Sequence, residues 1–353
     1  MGFEKSDADE CVFILDIPNQ YIIVAVYVDD FLVCSPSPNG IKWLHDELNK
    51  EWETRDLGPV KRFLGIDVHR PNPTGPIFIN QGVYICEILQ EFGMENCNPT
   101  KVPLNPSIKL HKRREDEPAA NETLYRRLVG KYMHLPYTRP DLAFTVSKFS
   151  QFNSNPSEEH MRAAKNTLRY LKATIDLGIE YSDTDTSQDI LPIGYCDASF
   201  DSDPDDSKST SGQVFMLANG AISHRSNKQD CVAMSTMESE YMAMSEAAKE
   251  AKFLINLLES LHLLKRDEPI TLKTDSESAH NHIKNNVNHA RTKHIQRRHH
   301  FIREAYQNGE IDIDRISACE QAADVLTKPL TYEKHENALK LLNMRSISIP
   351  VDK

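Results

Sequence analysis

Apolar residues in the first thirty-odd positions cluster in short stretches bounded by turn residues, a strand signature. Cys11–Asp16 and Tyr21–Val28 are rich in Val, Ile, Phe and Tyr, and Pro18-Asn19 separates them. The period then changes: Ile41, Leu44 and Leu48 recur at helical spacing and predict a helix over Ile41–Glu53. Phe63–His69 reads as a further strand and Gly82–Glu91 as a short helix. Residues 98–122 carry Pro99, Pro103, Pro106 and Pro118 among Lys112, Arg113, Arg114, Glu115, Asp116 and Glu117, an irregular connector. Leu124–Leu135, Asp141–Phe152 beyond the Arg139-Pro140 break, and the amphipathic Glu158–Lys172 are predicted helices, and the polar Ser182–Asp189 a linker.

From Ile190 the pattern is strand, strand, strand, helix, strand, helix, helix, strand, helix. The strands are Ile190–Cys196, Gly212–Leu217, Ala221–Ser226, Ile270–Thr274 and Ile311–Ser317. The helices are Thr236–Leu261, Ser276–Asn285, Thr292–Gln307 and most of Glu320–Leu342. Three antiparallel strands followed by alternating helices and strands predict a mixed five-stranded sheet with flanking helices, an α/β (α+β) class. No internal repeat is visible.

Composition narrows the field. The 353 residues are 39% hydrophobic and 26% charged, which fits a folded chain and excludes wholesale disorder and collagen-like repetition. Lys+Arg 41 against Asp+Glu 52 gives a net charge of −11, which argues against coating nucleic acid by bulk charge. It leaves room for metal-dependent nucleases, which need clustered carboxylates. The seven cysteines, Cys11, Cys34, Cys86, Cys97, Cys196, Cys231 and Cys319, are scattered without CxxC spacing and fit a reducing compartment. The first residues lack the apolar core of a signal peptide, and the longest apolar run is far short of the ~20 residues of a membrane span. The expectation is a cytoplasmic or nuclear protein, not secreted and with no membrane partner.

Four acids after residue 190 stand at telling places. Asp197 is predicted to end a strand in Gly194-Tyr195-Cys196-Asp197-Ala198, and Asp275 another in Leu272-Lys273-Thr274-Asp275. Glu240 lies in the long helix and Asp324 near the start of the last one. Adjacent strands flanked by such helices would gather four negative charges, stable only if cations neutralise them. Two divalent ions about 4 Å apart would do so and would clamp the attacking and leaving oxygens of a phosphodiester. Magnesium, or manganese, suits all-oxygen ligands. Asp201, Asp203 and Asp205 mimic a calcium loop, but Asp206 and Gly212 stand where an EF-hand needs Gly and Glu.

These residues carry a resemblance. Gly194-Tyr195-Cys196-Asp197-Ala198, the Asp203–Gly212 stretch, Ser235-Thr236-Met237-Glu238-Ser239-Glu240-Tyr241, Arg291-Thr292-Lys293-His294-Ile295 and Ala323–Leu330 resemble the ribonuclease H domain of copia-type LTR retrotransposons. The resemblance implies Asp197, Glu240, Asp275 and Asp324 as catalytic metal ligands. Glu238 competes with Glu240, and the Glu-Tyr-x-Ala context favours Glu240. His289–Arg303 carries Arg291, Lys293, Arg297, Arg298 and Arg303 with no intervening acid, a local phosphate track beside the acidic site. A zinc site from His294 with His299 or His300 lacks cysteine partners and is set aside.

Tyr27-Val28-Asp29-Asp30, Asp56-Leu57-Gly58 and Phe63–Val68 resemble the reverse transcriptase palm of the same family, with Asp29 and Asp30 as polymerase acids. Leu128-Val129-Gly130, Tyr137–Asp141 and Leu168–Lys172 resemble the region joining polymerase to ribonuclease H, so the likeness runs from about Gly2 to Met344. In that family the fingers and an earlier palm Asp precede the hairpin, and only about twenty-five residues precede Tyr27 here. The expectation is therefore a Pol-derived chain with a partial palm and thumb over 1–97, a connector and helical connection over 98–189, and a ribonuclease H-like domain over 190–346. It would cleave RNA in RNA–DNA hybrids with two Mg2+ or Mn2+ ions and would not polymerise alone. The alternatives are a non-catalytic nucleic-acid-binding remnant, or a polymerase completed by other Pol-derived chains.

Overall fold

The computed structural model describes residues 1–182, 191–264, 268–284 and 296–347. Its strands are β1 (Glu4–Lys5), β2 (Val12–Ile17), β3 (Gln20–Tyr27), β4 (Asp30–Cys34), β5 (Arg62–Phe63), β6 (Ile66–His69) and β7 (Ile77–Asn80). They continue as β8 (Leu177–Tyr181), β9 (Ile193–Ser199), β10 (Thr210–Leu217), β11 (Gly220–Lys228), β12 (Ile270–Thr274), β13 (Ile311–Arg315) and β14 (Met344–Ser346). The helices are α1 (Pro38–Leu48), α2 (Gly82–Glu91), α3 (Glu122–Tyr132), α4 (Ala143–Ser150), α5 (Glu158–Ala173), α6 (Thr236–Ser260), α7 (Glu277–Lys284), α8 (Gln296–Gln307) and α9 (Tyr332–Leu341). Among the described residues no helix is long and apolar enough to cross a membrane.

Strands β1 to β4 form an antiparallel sheet in sequence order. Alternate residues Ile22 and Val24 of β3, with Leu15 of β2, meet Leu44 of α1 in a small core. The β3–β4 turn is only Val28-Asp29, since Tyr27 pairs with Asp30. Val28 has a φ of 52°, a left-handed conformation that a β-branched residue adopts only under strain. This sheet is tied to the far end of α6: the Tyr21 hydroxyl donates to the Leu261 carbonyl at 2.5 Å, and Asp16 lies 2.8 Å from His262.

The second sheet is the mixed one, in order β11-β10-β9-β12-β13. Neighbours β11, β10 and β9 run antiparallel, and β12 runs parallel to both β9 and β13. One face buries Cys196, Phe215, Leu272 and Ile313 under α6, α7 and α8. The other buries Val214 and Ala221 against Ala323, Leu326 and Leu339. The mixed α/β class expected from the element order is the class observed.

The third sheet, β14-β8-β7-β6-β5, is assembled from distant parts of the chain and is antiparallel throughout. Helices α2 to α5 pack beside it around Tyr125, Tyr132, Phe149 and Leu168. A fully buried Arg139 donates both Nε and Nη2 to Asp141 at 2.9 Å. The Tyr170 hydroxyl donates to the same carboxylate at 2.7 Å and lies 2.8 Å from His335 Nε2 of α9. Burial disfavours charge on Asp141, but the Arg139 guanidinium outweighs it and holds the carboxyl below its usual range.

Several boundaries differ from expectation. The segment Phe63–His69 is not one strand: Leu64 and Gly65 both have positive φ and turn the chain between β5 and β6. Strand β9 runs on through Ser199, because Thr210 of β10 pairs with it, so Asp197 lies inside the strand rather than at its end. Glu320–Leu342 is not mostly one helix. It begins as 3-10 turns at Ala318–Glu320 and Ala322–Leu326, and Pro329 separates these from α9. Asp324 thus sits on a 3-10 turn. Strands β1, β7, β8 and β14 are additions to the expected elements. The linker expected over Ser182–Asp189 lies, beyond Ser182, outside the described residues.

Candidate metal centre

The parallel register of β9 and β12 pairs Leu272 with Gly194 and Lys273 with Tyr195, so two residues further on Asp275 comes level with Asp197. The first turns of α6 supply the third acid. Ser235 caps this helix by accepting from the Glu238 N–H at 3.2 Å, while the Glu238 carboxylate accepts from Met234 N–H at 2.7 Å. Glu238 is therefore spent on the helix start. Glu240 faces inward, and oxygens of Asp197, Glu240 and Asp275 all lie within 4.8 Å of one another. Among the described residues this is the group of potential metal ligands that the fold assembles.

The group is buried. Asp197 is 3% exposed and Glu240 7%, while Asp275 is half-buried. Burial, then the charges of Asp197 and Asp275, push the Glu240 carboxyl up to about 9. Burial also raises Asp197, with Lys328 and the Thr327 hydroxyl pulling the other way and Asp324 adding to the rise. Three hard oxygen donors this close and this buried are short of positive charge. That deficit, and the all-carboxylate donor set, fit a divalent ion such as Mg2+ or Mn2+.

Asp324 approaches from the other face of the sheet. Its carboxylate is 2.6 Å from Lys328 Nζ, which also lies 3.6 Å from Asp197. The Thr327 hydroxyl donates to Asp197, and Gln321 Nε2 donates to the Cys196 carbonyl at 3.0 Å. Gly212 makes this approach feasible: a Cβ there would lie 2.7 Å from Leu326 Cβ and Thr327 Cγ2. Thr327, Lys328, Gln321 and Gly212 are site-building residues to which sequence reasoning assigned no role. The acid–lysine spacing of Asp324 and Lys328 is the one signal that could have found them.

Asp29 and Asp30 do not belong to this group. Asp29 lies in the β3–β4 turn and Asp30 opens β4, both exposed. Arg291 and Lys293 lie outside the described residues, and Arg297 falls within α8. Arg298 and Arg303 are half-buried, and Arg303 stands near Tyr241 of α6, where its charge partly offsets the burial that raises that phenol. The acidic loop after β9 serves as a brace. Asp203 accepts from Lys148 at 2.9 Å and Lys228 at 2.8 Å, which hold its carboxyl well below the usual range against the effect of burial.

Residues 1–106 match the family described as reverse transcriptase (RNA-dependent DNA polymerase). The chain is 36% identical over 97% of its length to the retrovirus-related Pol polyprotein from transposon TNT 1-94 of Nicotiana tabacum, of which it covers 26%. It is 34% identical to the corresponding polyprotein from transposon RE1 of Arabidopsis thaliana, covering 22% of that protein. The putative transposon Ty5-1 protein of Saccharomyces cerevisiae is 31% identical over 71% of this chain and 80% of its own length. The chain thus spans about a quarter of the length of the Pol polyproteins it matches. Among solved structures, an LC11 ribonuclease H1 in complex with RNA/DNA hybrid is similar at 15% identity and a TM-score of 0.31, over 38% of this chain and 93% of that one.

Proposed function

The chain belongs to the retrovirus-related Pol polyproteins of copia-type transposons, and from that premise we propose that it is a metal-dependent ribonuclease H acting on the RNA strand of RNA–DNA hybrids. The observation that carries this reading is the convergence of Asp197, Glu240 and Asp275 within 4.8 Å. These residues, with Asp324 alongside, would hold the Mg2+ or Mn2+ ions, two in the full complement. When bound, the ions supply the Lewis acidity that phosphodiester hydrolysis requires. The protein's own part is positional. Strands β9 and β12 fix Asp197 and Asp275 side by side, and the Ser235 cap with Glu238 fixes the start of α6 so that Glu240 completes the triangle. The preformed carboxylate arrangement needs little reorganisation to accept cations and a phosphate.

Arg291, Lys293, Arg297, Arg298 and Arg303 are proposed to supply the backbone contacts for the hybrid. Among the described residues no third metal-ligating side chain joins Asp29 and Asp30. We propose the cytoplasm or nucleus as the chain's place of work. The test is cleavage of end-labelled RNA annealed to DNA, with and without Mg2+ or Mn2+. Metal-dependent cleavage by the native chain that Asp197→Asn abolishes is expected, and robust cleavage by Asp197→Asn would overturn the site.

A further inference from the structure

Asp197 is shared between two neighbourhoods. On one side stand Glu240 and Asp275; on the other its Oδ2 accepts from the Thr327 hydroxyl and lies 3.6 Å from the Lys328 ammonium. That ammonium is 2.6 Å from Asp324 Oδ1. The local backbone explains the approach. The 3-10 turn ends at Leu326, the Thr327 N–H donates to the Asp324 carbonyl at 3.2 Å, and the chain bends Lys328 back over the carboxylates. The lysine side chain is 37% exposed, so its head has a short path to water.

An ion ligated jointly by Asp197 and Asp324 would need the space between their oxygens and the charge deficit there. Lys328 already occupies the first and reduces the second. Resting on the reading of Asp197, Glu240 and Asp275 as divalent-ion ligands, we propose that Lys328 is a tethered cation filling the second ion's position. The resting chain then takes one divalent ion at Asp197–Glu240–Asp275, and a second enters at Asp197–Asp324 only when Lys328 withdraws. Ion number in this protein is thereby set by a side chain rather than by the carboxylates alone.

The experiment is titration of the metal-free full chain with Mn2+, following free Mn2+ by electron paramagnetic resonance, in the native protein, Lys328→Gln, Lys328→Arg and Asp275→Asn. The native chain should bind one ion well and a second weakly. Lys328→Gln should tighten the second ion about ten-fold or more, an effect commensurate with removing one adjacent charge, and leave the first within about three-fold. Lys328→Arg should behave as the native chain, and Asp275→Asn should weaken the first ion. Should Lys328→Gln melt early, Lys328→Met, which keeps the alkyl stem, reads the same change. Equal stoichiometry and affinities in the native and neutral Lys328 variants would overturn the proposal while leaving the metal centre standing. Absence of Mn2+ binding in every variant would overturn both.

Discussion

Two sets of acids in this chain invite comparison: Asp29-Asp30 at the tip of the β3–β4 hairpin, and Asp197 with Glu240 and Asp275 at the heart of the mixed sheet. The hairpin pair is adjacent in sequence and exposed, and its neighbours Tyr27 and Val28 are exposed too. The second set is drawn from β9, α6 and the end of β12, and it is close because three elements converge. Water screens the first pair, so little repulsion builds between its two acids. The buried set has no such relief, and Glu240 is driven up to about 9. Proximity in sequence thus marks a motif, but proximity in a buried place creates the demand for a cation.

The comparison breaks most visibly on hybrid cleavage. Asp197→Asn, Glu240→Gln or Asp275→Asn should each lower the cleavage rate by about a thousand-fold or more, whereas Asp29→Asn with Asp30→Asn should leave it within about two-fold. Comparable losses from both sets would erase the distinction.

Stability against pH sharpens the contrast without any substrate. Glu240 is raised in the folded state, from an ordinary 4.5 to about 9, so between these values the folded chain holds more protons than the unfolded one. Stability of the metal-free protein should therefore be greatest near the acid end of that window and fall as pH rises through it. The loss is on the order of a few kcal/mol, since each tenfold change in proton affinity corresponds to ~1.4 kcal/mol. Thermal melts from pH 5 to 9 should show the decline, Glu240→Gln should flatten it, and Mg2+ should restore stability at the alkaline end. A native profile that Glu240→Gln does not alter would remove the electrostatic half of the contrast.

Smaller effects probe the backbone supporting each set. Gly212→Ala would push its Cβ into Leu326 and Thr327 at 2.7 Å, costing about 1–3 kcal/mol and displacing Asp324 and Lys328. Chemical denaturation together with the Mn2+ titration reads both consequences. Val28→Gly relieves about 1–2 kcal/mol of left-handed strain but returns about 0.5–1 kcal/mol as extra freedom in the unfolded chain. A net gain of about 0.5 kcal/mol is expected in the hairpin, visible as slower amide exchange at Tyr27 and Asp30.

Much of this architecture was legible in the sequence because it rests on local periodicity. The β2–β3 hairpin, the amphipathic α5, the long α6 and the order of elements after residue 190 follow from apolar spacing and turn residues. Asp197, Glu240 and Asp275 were legible because each stands in a distinctive local frame. Glu238 and Glu240 were separable only by context, and the structure adds the physical reason, since Glu238 is engaged by the Met234 N–H. What stayed hidden depends on contacts far along the chain. Strand β9 reaches past Asp197 because β10 pairs with it, and the Lys328–Asp324–Asp197 contacts exist because Gly212 lets a turn lie flat on the sheet. The short strands β7, β8 and β14 carry too few residues to announce themselves, and they become strands only when they meet.

That last meeting bears on how the protein can be taken apart. Strand β14 pairs Met344 with Ile179 and Ser346 with Leu177, and the Tyr181 ring covers Gly220 on the mixed sheet. A piece cut out at residue 190 would leave β14 without its neighbour and bare the apolar side chains beside Ala221. The portable unit, for expression or for recombination between elements, is therefore longer than the stretch that bears the acids: it has to carry β8, and with β8 the sheet that leads back toward the hairpin.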